Sequence, residues 1–431
     1  MFVKVFSVRA MKAEEIRELA SKSPQRQEKY VKKVYELINR DDLFDKSPDK
    51  LSNLRKGLMR DCLSYFKDKS DYYAQLFENL GIDPNSAEFN DLAKLAVPSD
   101  MLRGEGQKPF IIEGLDTNGE HFTSSGTTGK TPVRIYRSPV DLEVMMKANT
   151  DLFQYVYGDV LEQGEGTALF MAAPELRDRL YFIASVHLTL ENKGLDLIYG
   201  MDMVEGKDPQ KPWLKLEPNK SRIMKFLRSK NGPKLFFTAP AGVHAMNEKF
   251  DNMGLVNKIV YKLSTGSPPV DLKDGGVIVT GGGSKGATDL PPYDQIVDRS
   301  RANFKCRNKT GAYREVPFMD VLGMTETLTA LIDNYGEMDK VPHPLSEVFL
   351  LDPNNMEIIE GEEKQGALGI FNPFVTSWLE VFYPGDIMNS HSSERYYGKE
   401  FVYQRRLTVE EGWDLQRACG GTLEEMMGKG N

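Results

Sequence analysis

Along the first eighty residues apolar side chains return every third or fourth position. Leu51, Leu54, Leu58 and Cys62 keep helical spacing, Tyr65, Tyr72 and Leu76 continue it more loosely, and lysine and glutamate fill the positions between. Such a stripe belongs to amphipathic helices with one buried face. It predicts a helical layer over residues 1–80 that covers a core. Ile82-Asp83-Pro84-Asn85 closes the layer with turn residues, and Leu92 to Leu102 leads toward a glycine-rich loop. After that loop the period changes. Short apolar runs at Pro132–Tyr136, Thr167–Ala172, Leu195–Tyr199, Lys234–Thr238 and Gly276–Thr280 predict strands, with helical patterns over Asp141–Tyr155 and Ser221–Leu227 between them. Strands alternating with helices predict an α/β architecture with a largely parallel sheet.

From Glu347 the runs shorten. Val348–Leu351, Met356–Ile359 and Gly366–Phe371 are separated by turns, which predicts a small antiparallel sheet or barrel. The stretch from Gly398 to Asn431 is too short to bury a large core of its own. The expected division is a large domain over 1–390 and a short C-terminal segment over 391–431. The chain has no internal repeat and no low-complexity segment.

Composition narrows the class without choosing an activity. Of 431 residues, 40% are hydrophobic and 27% charged, as in ordinary globular domains. The formal net charge is -8 with no long basic block, which argues against nucleic acid as a partner. No apolar run approaches the ~18 residues that a bilayer span requires. Cys62, Cys306 and Cys419 lie far apart without metal-ligand spacing, and the start, Met1-Phe-Val-Lys-Val-Phe-Ser, lacks a signal-peptide pattern. The expectation is a cytoplasmic protein with neither disulfides nor a zinc site.

Four glycine- or acid-bearing stretches carry the candidate chemistry. The first, His121-Phe-Thr-Ser-Ser-Gly-Thr-Thr-Gly-Lys-Thr131, sets two glycines and the hydroxyls of Thr123, Ser124, Ser125, Thr127 and Thr128 ahead of Lys130. Glycines bring backbone N–H groups close to a ligand, hydroxyls add rotatable donors and lysine adds a point charge, a set that suits a polyphosphate. It is not a Walker loop, because the leading glycine would fall where Ser124 stands. The others are Thr280-Gly-Gly-Gly-Ser-Lys285 after a buried strand, Leu322-Gly-Met-Thr-Glu326, and Tyr383-Pro-Gly-Asp386. Glycine-rich loops at the carboxyl ends of parallel strands are where such sheets bind ligands.

In this order the four stretches resemble the adenylate-forming superfamily of acyl-CoA synthetases and firefly luciferase. The Ser-Ser-Gly-Thr-Thr-Gly-Lys run and Tyr72-Tyr-Ala-Gln-Leu-Phe-Glu-Asn-Leu-Gly-Ile-Asp-Pro84 are similar to the phenylacetate-CoA ligase branch. The Ile-Val-Thr-Gly-Gly-Gly run before Ser284-Lys285 resembles the LuxE-type acyl-protein synthetases of bacterial bioluminescence, the closest resemblance overall. It covers roughly residues 57 to 431.

The resemblance implies a large adenylate-forming domain, ATP and Mg²⁺ as cofactors, and a carboxylic-acid substrate, for this branch a fatty acid. It implies that Ser124, Ser125, Gly126, Thr127, Thr128, Gly129 and Lys130 hold the β- and γ-phosphates, and that Thr325 touches the α-phosphate. Glu326 would ligate Mg²⁺, Asp386 would accept from the ribose hydroxyls, and Gly281, Gly282 and Gly283 would admit the adenine. Arg405 or Arg406 stands where the superfamily has a ribose-contacting arginine. An acyl-pocket wall is expected at Phe237, Thr238, Ala239, Pro240, Gly242, Val243 and His244. The thiol acceptor would be Cys419, with Gly420 and Gly421 giving local freedom and Arg417 favouring the thiolate. From it the acyl group would pass to a partner such as a fatty-acid reductase.

Three departures stand out. Val133 follows the loop's proline where many members have lysine, and Leu322 replaces an aromatic residue before Gly323. The stretch after Asp386 is too short for the superfamily's C-terminal domain, so a truncated C-terminal segment is expected. The catalytic set that the resemblance implies is Thr127, Glu326 and Cys419. The competing readings are an aryl- or acyl-CoA ligase, and a nucleotide-binding partner protein without catalysis.

Overall fold

The computed structural model describes residues 12–112, 118–124, 131–158, 165–204, 216–230, 232–254, 269–282, 290–308, 310–333, 338–361, 364–393 and 395–407. Helices Ala13–Lys22, Lys29–Ile38, Pro48–Lys69 and Asp71–Leu80 form the expected N-terminal layer. Pro48 occupies the first turn of its helix, where the missing N–H costs nothing. Ser70 caps the next helix and Gly81, at φ 64°, ends it in the left-handed region that glycine adopts freely. Leu51, Leu58 and Cys62 are fully buried, as their spacing predicts. On Asp71–Leu80 the buried face is carried by Tyr73 and Phe77 rather than by Tyr72 and Leu76, which stay half-buried. The reason is polar: the Tyr73 hydroxyl donates to Phe110 O (2.7 Å) and accepts from Leu379 N (3.0 Å), which turns that edge of the helix inward.

Five parallel strands form one half of the main sheet, in the spatial order Leu195–Tyr199, Gly166–Phe170, Lys234–Thr238, Val277–Gly281 and Phe318–Leu322. Lys234–Thr238 and Val277–Gly281 are buried at every position, which is why they read as continuous apolar runs without alternation. Helices Pro139–Tyr157 and Tyr181–Asn192 pack on each other, with Ala13–Lys22 laid against the first of them.

Phe318–Leu322 is the hinge of the topology. On its far side it pairs antiparallel with Leu331–Asp333, and the sheet continues antiparallel through Asp339–Val341, Lys399–Arg406, Asp386–Ser392 and Lys364–Phe371. Val381–Tyr383 and Glu347–Leu351 extend that half, and Val97–Pro98 adds a short parallel edge on Val381–Tyr383. The antiparallel part expected after Glu347 thus exists, and it is continuous with the parallel block. Asp386–Ser392 and Lys399–Arg406 form one hairpin across residue 390. One expected strand is absent. Met356 sits at φ 61° in a turn closed by Met356 N to Asp352 O, and Ile358 makes only a single bridge to Leu351. The Asn354-Asn355 turn consumes the residues that pairing would need.

Candidate active site

The hydroxyl-rich loop is the tip of a hairpin. Glu120–Thr123 pairs with Arg134–Arg137, and two bonds close its base: Ser124 N donates to Val133 O, and Val133 N donates to the Ser124 hydroxyl, both at 2.9 Å. Ser125, Gly126, Thr127, Thr128, Gly129 and Lys130 lie outside the described residues, as do Gly283 and Cys419. The loop's roots are fixed from a second element. Arg103 Nη1 donates to Thr131 O (2.9 Å) and Gly104 N donates to Pro132 O (3.1 Å), while Asp100 holds Arg103 Nε. Arg103 Nη2 is buried with no hydrogen-bond partner among the described residues.

The Leu322–Glu326 turn follows the last parallel strand. Thr325 and Glu326 are buried, and their carbonyls are held from behind by Arg137, whose Nη2 lies 2.9 Å from Glu326 O and 3.4 Å from Thr325 O. Arg137 Nη1 pairs with Glu380 Oε2 at 3.1 Å, both side chains being wholly enclosed. Glu380 also accepts from Leu328 N (2.6 Å) and from the Asn372 amide. Burial pushes Glu380 up to about 7 against the pull of Arg137. This pair sets the shape of the turn and faces no open space.

The Glu326 carboxyl points the other way. Burial raises its pKa, opposed by the Ser99 hydroxyl, Arg103 and Arg406. Those groups join the loop roots, the turn and the Asp386 stretch into one place. Asp386 is buried beside Arg406, whose Nε lies 3.7 Å from Asp386 Oδ1. Gly385, at φ 83°, allows the sharp entry into this strand, and Arg406 Nη2 donates to Pro384 O (2.8 Å). Arg406 Nη1 is buried without a partner among the described residues. Arg405 is exposed and its Nη1 donates to the Arg406 carbonyl, so of the two arginines it is Arg406 that shares the site with Asp386.

Next to the turn lies an apolar pocket of about 60 Å³, lined by Phe182, Phe237, Val321, Met324 and Leu328 among others. Its polar lining is limited to uncharged side chains, Asn149, Ser185, Thr189 and Thr327 with the Tyr181 ring. Of the expected acyl wall only Phe237 lines it. Helix Pro240–Asp251 instead starts tight against the strand, with the Thr238 hydroxyl 2.1 Å from where a Gly242 Cβ would stand, and His244 faces Glu248 of its own helix at 3.6 Å. The open face expected at Gly281 is covered. The Phe182 ring comes within 2.9 Å of a Cβ built on Gly281 and 2.8 Å of one on Gly323, so both glycines make room for an aromatic ring. A larger cavity of about 420 Å³ lies elsewhere, bordered by Arg55, Glu347 and Lys399, and none of the candidate site residues lines it.

Arg103, Arg137, Phe182 and Glu380 were not singled out from sequence. For Arg137 there was a faint signal, a charged residue closing a strand pattern just before the Ser138 helix cap. The other three carry none. The two remaining cysteines are sealed: Cys62 is fully buried with its thiol pKa raised by burial, and burial pushes Cys306 up to about 12. Among the described residues no helix is long and apolar enough to cross a membrane.

No protein-family model matches the chain, and no curated protein matches its sequence. Solved structures do match its fold. The chain is similar to 2-hydroxyisobutyryl-CoA ligase in complex with 2-HIB-AMP and CoA in the thioesterification state, at TM-score 0.57 and 14% identity over 84% of this chain and 70% of that one. An open conformation of that ligase with 2-HIB-AMP and CoA aligns at TM-score 0.54 and 13% identity, over 85% of this chain and 75% of that one. Its postadenylation state with R3-HIB-AMP gives TM-score 0.55 and 13% identity, over 85% and 70%. At these identities the likeness establishes the fold, the α/β fold expected of an adenylate-forming domain.

Proposed function

We propose that this chain activates a carboxylic acid with ATP and hands the acyl group to a thiol. The observation that carries the reading is the meeting of Glu326, Asp386, Arg406 and the Arg103-held roots of the hydroxyl-rich loop beside an apolar pocket at the ends of parallel strands. The substrate carboxylate attacks the α-phosphorus of ATP, the bond to the β-phosphate oxygen breaks, and pyrophosphate leaves. A thiolate then attacks the acyl carbon and AMP departs. In such steps a protein contributes mainly position and charge.

The residues suit a nucleotide with its metal. Two guanidinium groups each hold a buried N–H donor that no described residue engages, free for phosphate oxygens, at Arg103 Nη2 and Arg406 Nη1. Glu326 offers a hard carboxylate oxygen, which a divalent cation would keep ionised against the burial that raises its pKa. Mg²⁺ bound there would neutralise phosphate charge. Thr127, Ser125 and Lys130 of the loop would complete the phosphate contacts, Thr325 the α-phosphate contact and Asp386 the ribose contact.

A pocket lined without charged side chains favours an apolar acyl group and offers no partner for an ammonium. A fatty acid meets that description. With Cys62 and Cys306 buried, the acceptor thiol is Cys419, which would pass the acyl group on to a partner reductase. The second reading, transfer to free CoA, draws support from the CoA held by the ligase whose fold this chain shares.

ATP–pyrophosphate exchange over a panel of fatty, aromatic and amino acids tests the first step. Apolar acids should support exchange, and Thr127→Ala and Glu326→Ala should each lower it at least ~10-fold, as when a transition-state contact is lost. Exchange with no acid, or at wild-type rate in both variants, would overturn the reading. Labelled acid with ATP, followed by a denaturing gel, tests the acceptor: a hydroxylamine-labile label on wild type that Cys419→Ser lacks identifies Cys419, whereas discharge by added CoA alone identifies the second reading.

A further inference from the structure

Far from that site, three neighbouring strands set two carboxylates and an imidazole on one face of the sheet. His391 and Glu400 are register partners across their hairpin, and Asp339 opposes Val402, two residues from Glu400 on the same strand. Alternate residues of a strand share a face, so all three side chains emerge together. Their ligand atoms lie within 4.8 Å of one another.

His391 and Asp339 are joined only by a long hydrogen bond. His391 Nε2 stands 3.4 Å from Asp339 Oδ1 and 3.9 Å from Glu400 Oε2, beyond the ~2.7–2.9 Å of a charge-assisted bond. These distances are close to the edges of a coordination polyhedron, since donors bound tetrahedrally at ~2.0–2.1 Å are separated by ~3.3–3.4 Å. The imidazole is also set up from behind. Its Nδ1 lies 3.2 Å from Ser392 O and donates there, which turns Nε2 toward the two carboxylates. Glu400, 7% exposed, has Oε1 fixed by the Ser393 hydroxyl at 2.8 Å, so Oε2 is the atom turned to His391. Once free of its proton, Nε2 has a lone pair to give to a cation held between the two carboxylates.

We propose that Asp339, His391 and Glu400 bind a divalent transition-metal ion, for which Zn²⁺ suits the one-nitrogen, two-oxygen donor set. Partial exposure of Asp339 and His391 leaves an entry path and a fourth position for water. The ion would tie Asp339–Val341, Asp386–Ser392 and Lys399–Arg406 together. Its distance from Asp386, five residues along an extended strand at ~3.3 Å each, makes it a clamp on the hairpin rather than part of the chemistry.

The test uses the whole chain carrying Cys419→Ser, stripped with chelator, and Zn²⁺ or Co²⁺ as the probe. Zn²⁺ should bind near one equivalent by calorimetry and raise Tm by a few degrees, because it binds only the folded state. Co²⁺ should give visible ligand-field bands. Asp339→Asn and His391→Ala should each abolish the bands and the Tm shift while leaving acid-dependent pyrophosphate exchange unchanged. The same stoichiometry and shift in both variants, or no Zn²⁺ binding below about 100 μM, overturns the proposal. Should His391→Ala fail to fold, the half-exposed Asp339→Asn decides it alone.

Discussion

Two charged centres sit on opposite sides of the 325–328 turn, and they differ in how far they open to solvent. Behind the turn Arg137 and Glu380 are wholly enclosed. Both Nη atoms of Arg137 are committed, to Glu380 and to the carbonyls of Thr325 and Glu326, and its guanidinium lies 4.9 Å over the Tyr181 ring. In front of the turn Arg103 and Arg406 keep 11% and 13% of their side chains exposed, and each retains a buried Nη without a partner among the described residues. Arg137 Nε is likewise a buried donor without a partner among the described residues, but it is walled in, and a sealed charge shapes backbone. A partly open one with a spare donor is prepared for a ligand. An unpaired donor alone does not separate these cases; the opening of the group to solvent does.

Arg137→Met breaks this comparison most severely. It leaves Glu380 in a sealed site without its cation and frees two carbonyls. Removing one member of such a pair costs about 3–5 kcal/mol, so a large fall in denaturant midpoint is expected, with exchange activity lost along with the turn. A midpoint within error of wild type would mean that the pair does not hold the turn.

The front centre should respond in the opposite way. Arg103→Met and Arg406→Met are expected to lower exchange and weaken ATP binding by about 10–100-fold, the range for losing a charged hydrogen-bond partner, with much smaller changes in midpoint. Arg405→Met supplies the control on the neighbouring exposed residue and should stay within about twofold, as surface substitutions do. If Arg405→Met costs as much activity as Arg406→Met, the assignment of Arg406 to the Asp386 site is wrong.

The same contrast explains how much could be read from sequence. Ser124, Glu326 and Asp386 were legible because each sits in a short stretch whose glycines and hydroxyls make sense only at a turn, and turns are local. The strands Leu195–Tyr199 and Lys234–Thr238 were legible to the residue because their apolar runs are bounded by glycine, lysine and proline. Arg103, Phe182 and Glu380 were not. They reach the site from separate elements, and nothing local distinguishes them from other arginines, phenylalanines and glutamates. The Met356–Ile359 strand failed for a related reason: the run is so short that, once the left-handed Met356 has closed the turn, only Ile358 is left to bridge Leu351.

The smallest expected effect concerns a buried base that belongs to neither centre. His343 is 1% exposed, its Nδ1 accepts from Leu345 N at 3.2 Å, and the Phe44 and Phe374 rings pack on it edge-on. Burial, aided by Lys147, lowers it to about 3. Below pH ~6.5 the unfolded chain takes up a proton there that the folded chain refuses, so the stability held by neutral His343 is lost as pH falls from about 6.5 toward 3. Glu380 works with the opposite sign, because its folded value of about 7 lies above the ordinary 4.5. The stability it confers when protonated is lost as pH rises through that window. Wild-type stability therefore mixes the two, and His343→Gln, which keeps an acceptor for Leu345 N, should unmask the carboxyl. Relative to wild type, the variant's unfolding free energy should improve on acidification by up to about 1.4 kcal/mol per pH unit below 6.5. Denaturant midpoints measured at half-unit steps from pH 7 to 5 decide it, and parallel profiles for the two proteins would show that His343 takes up its proton in the folded state.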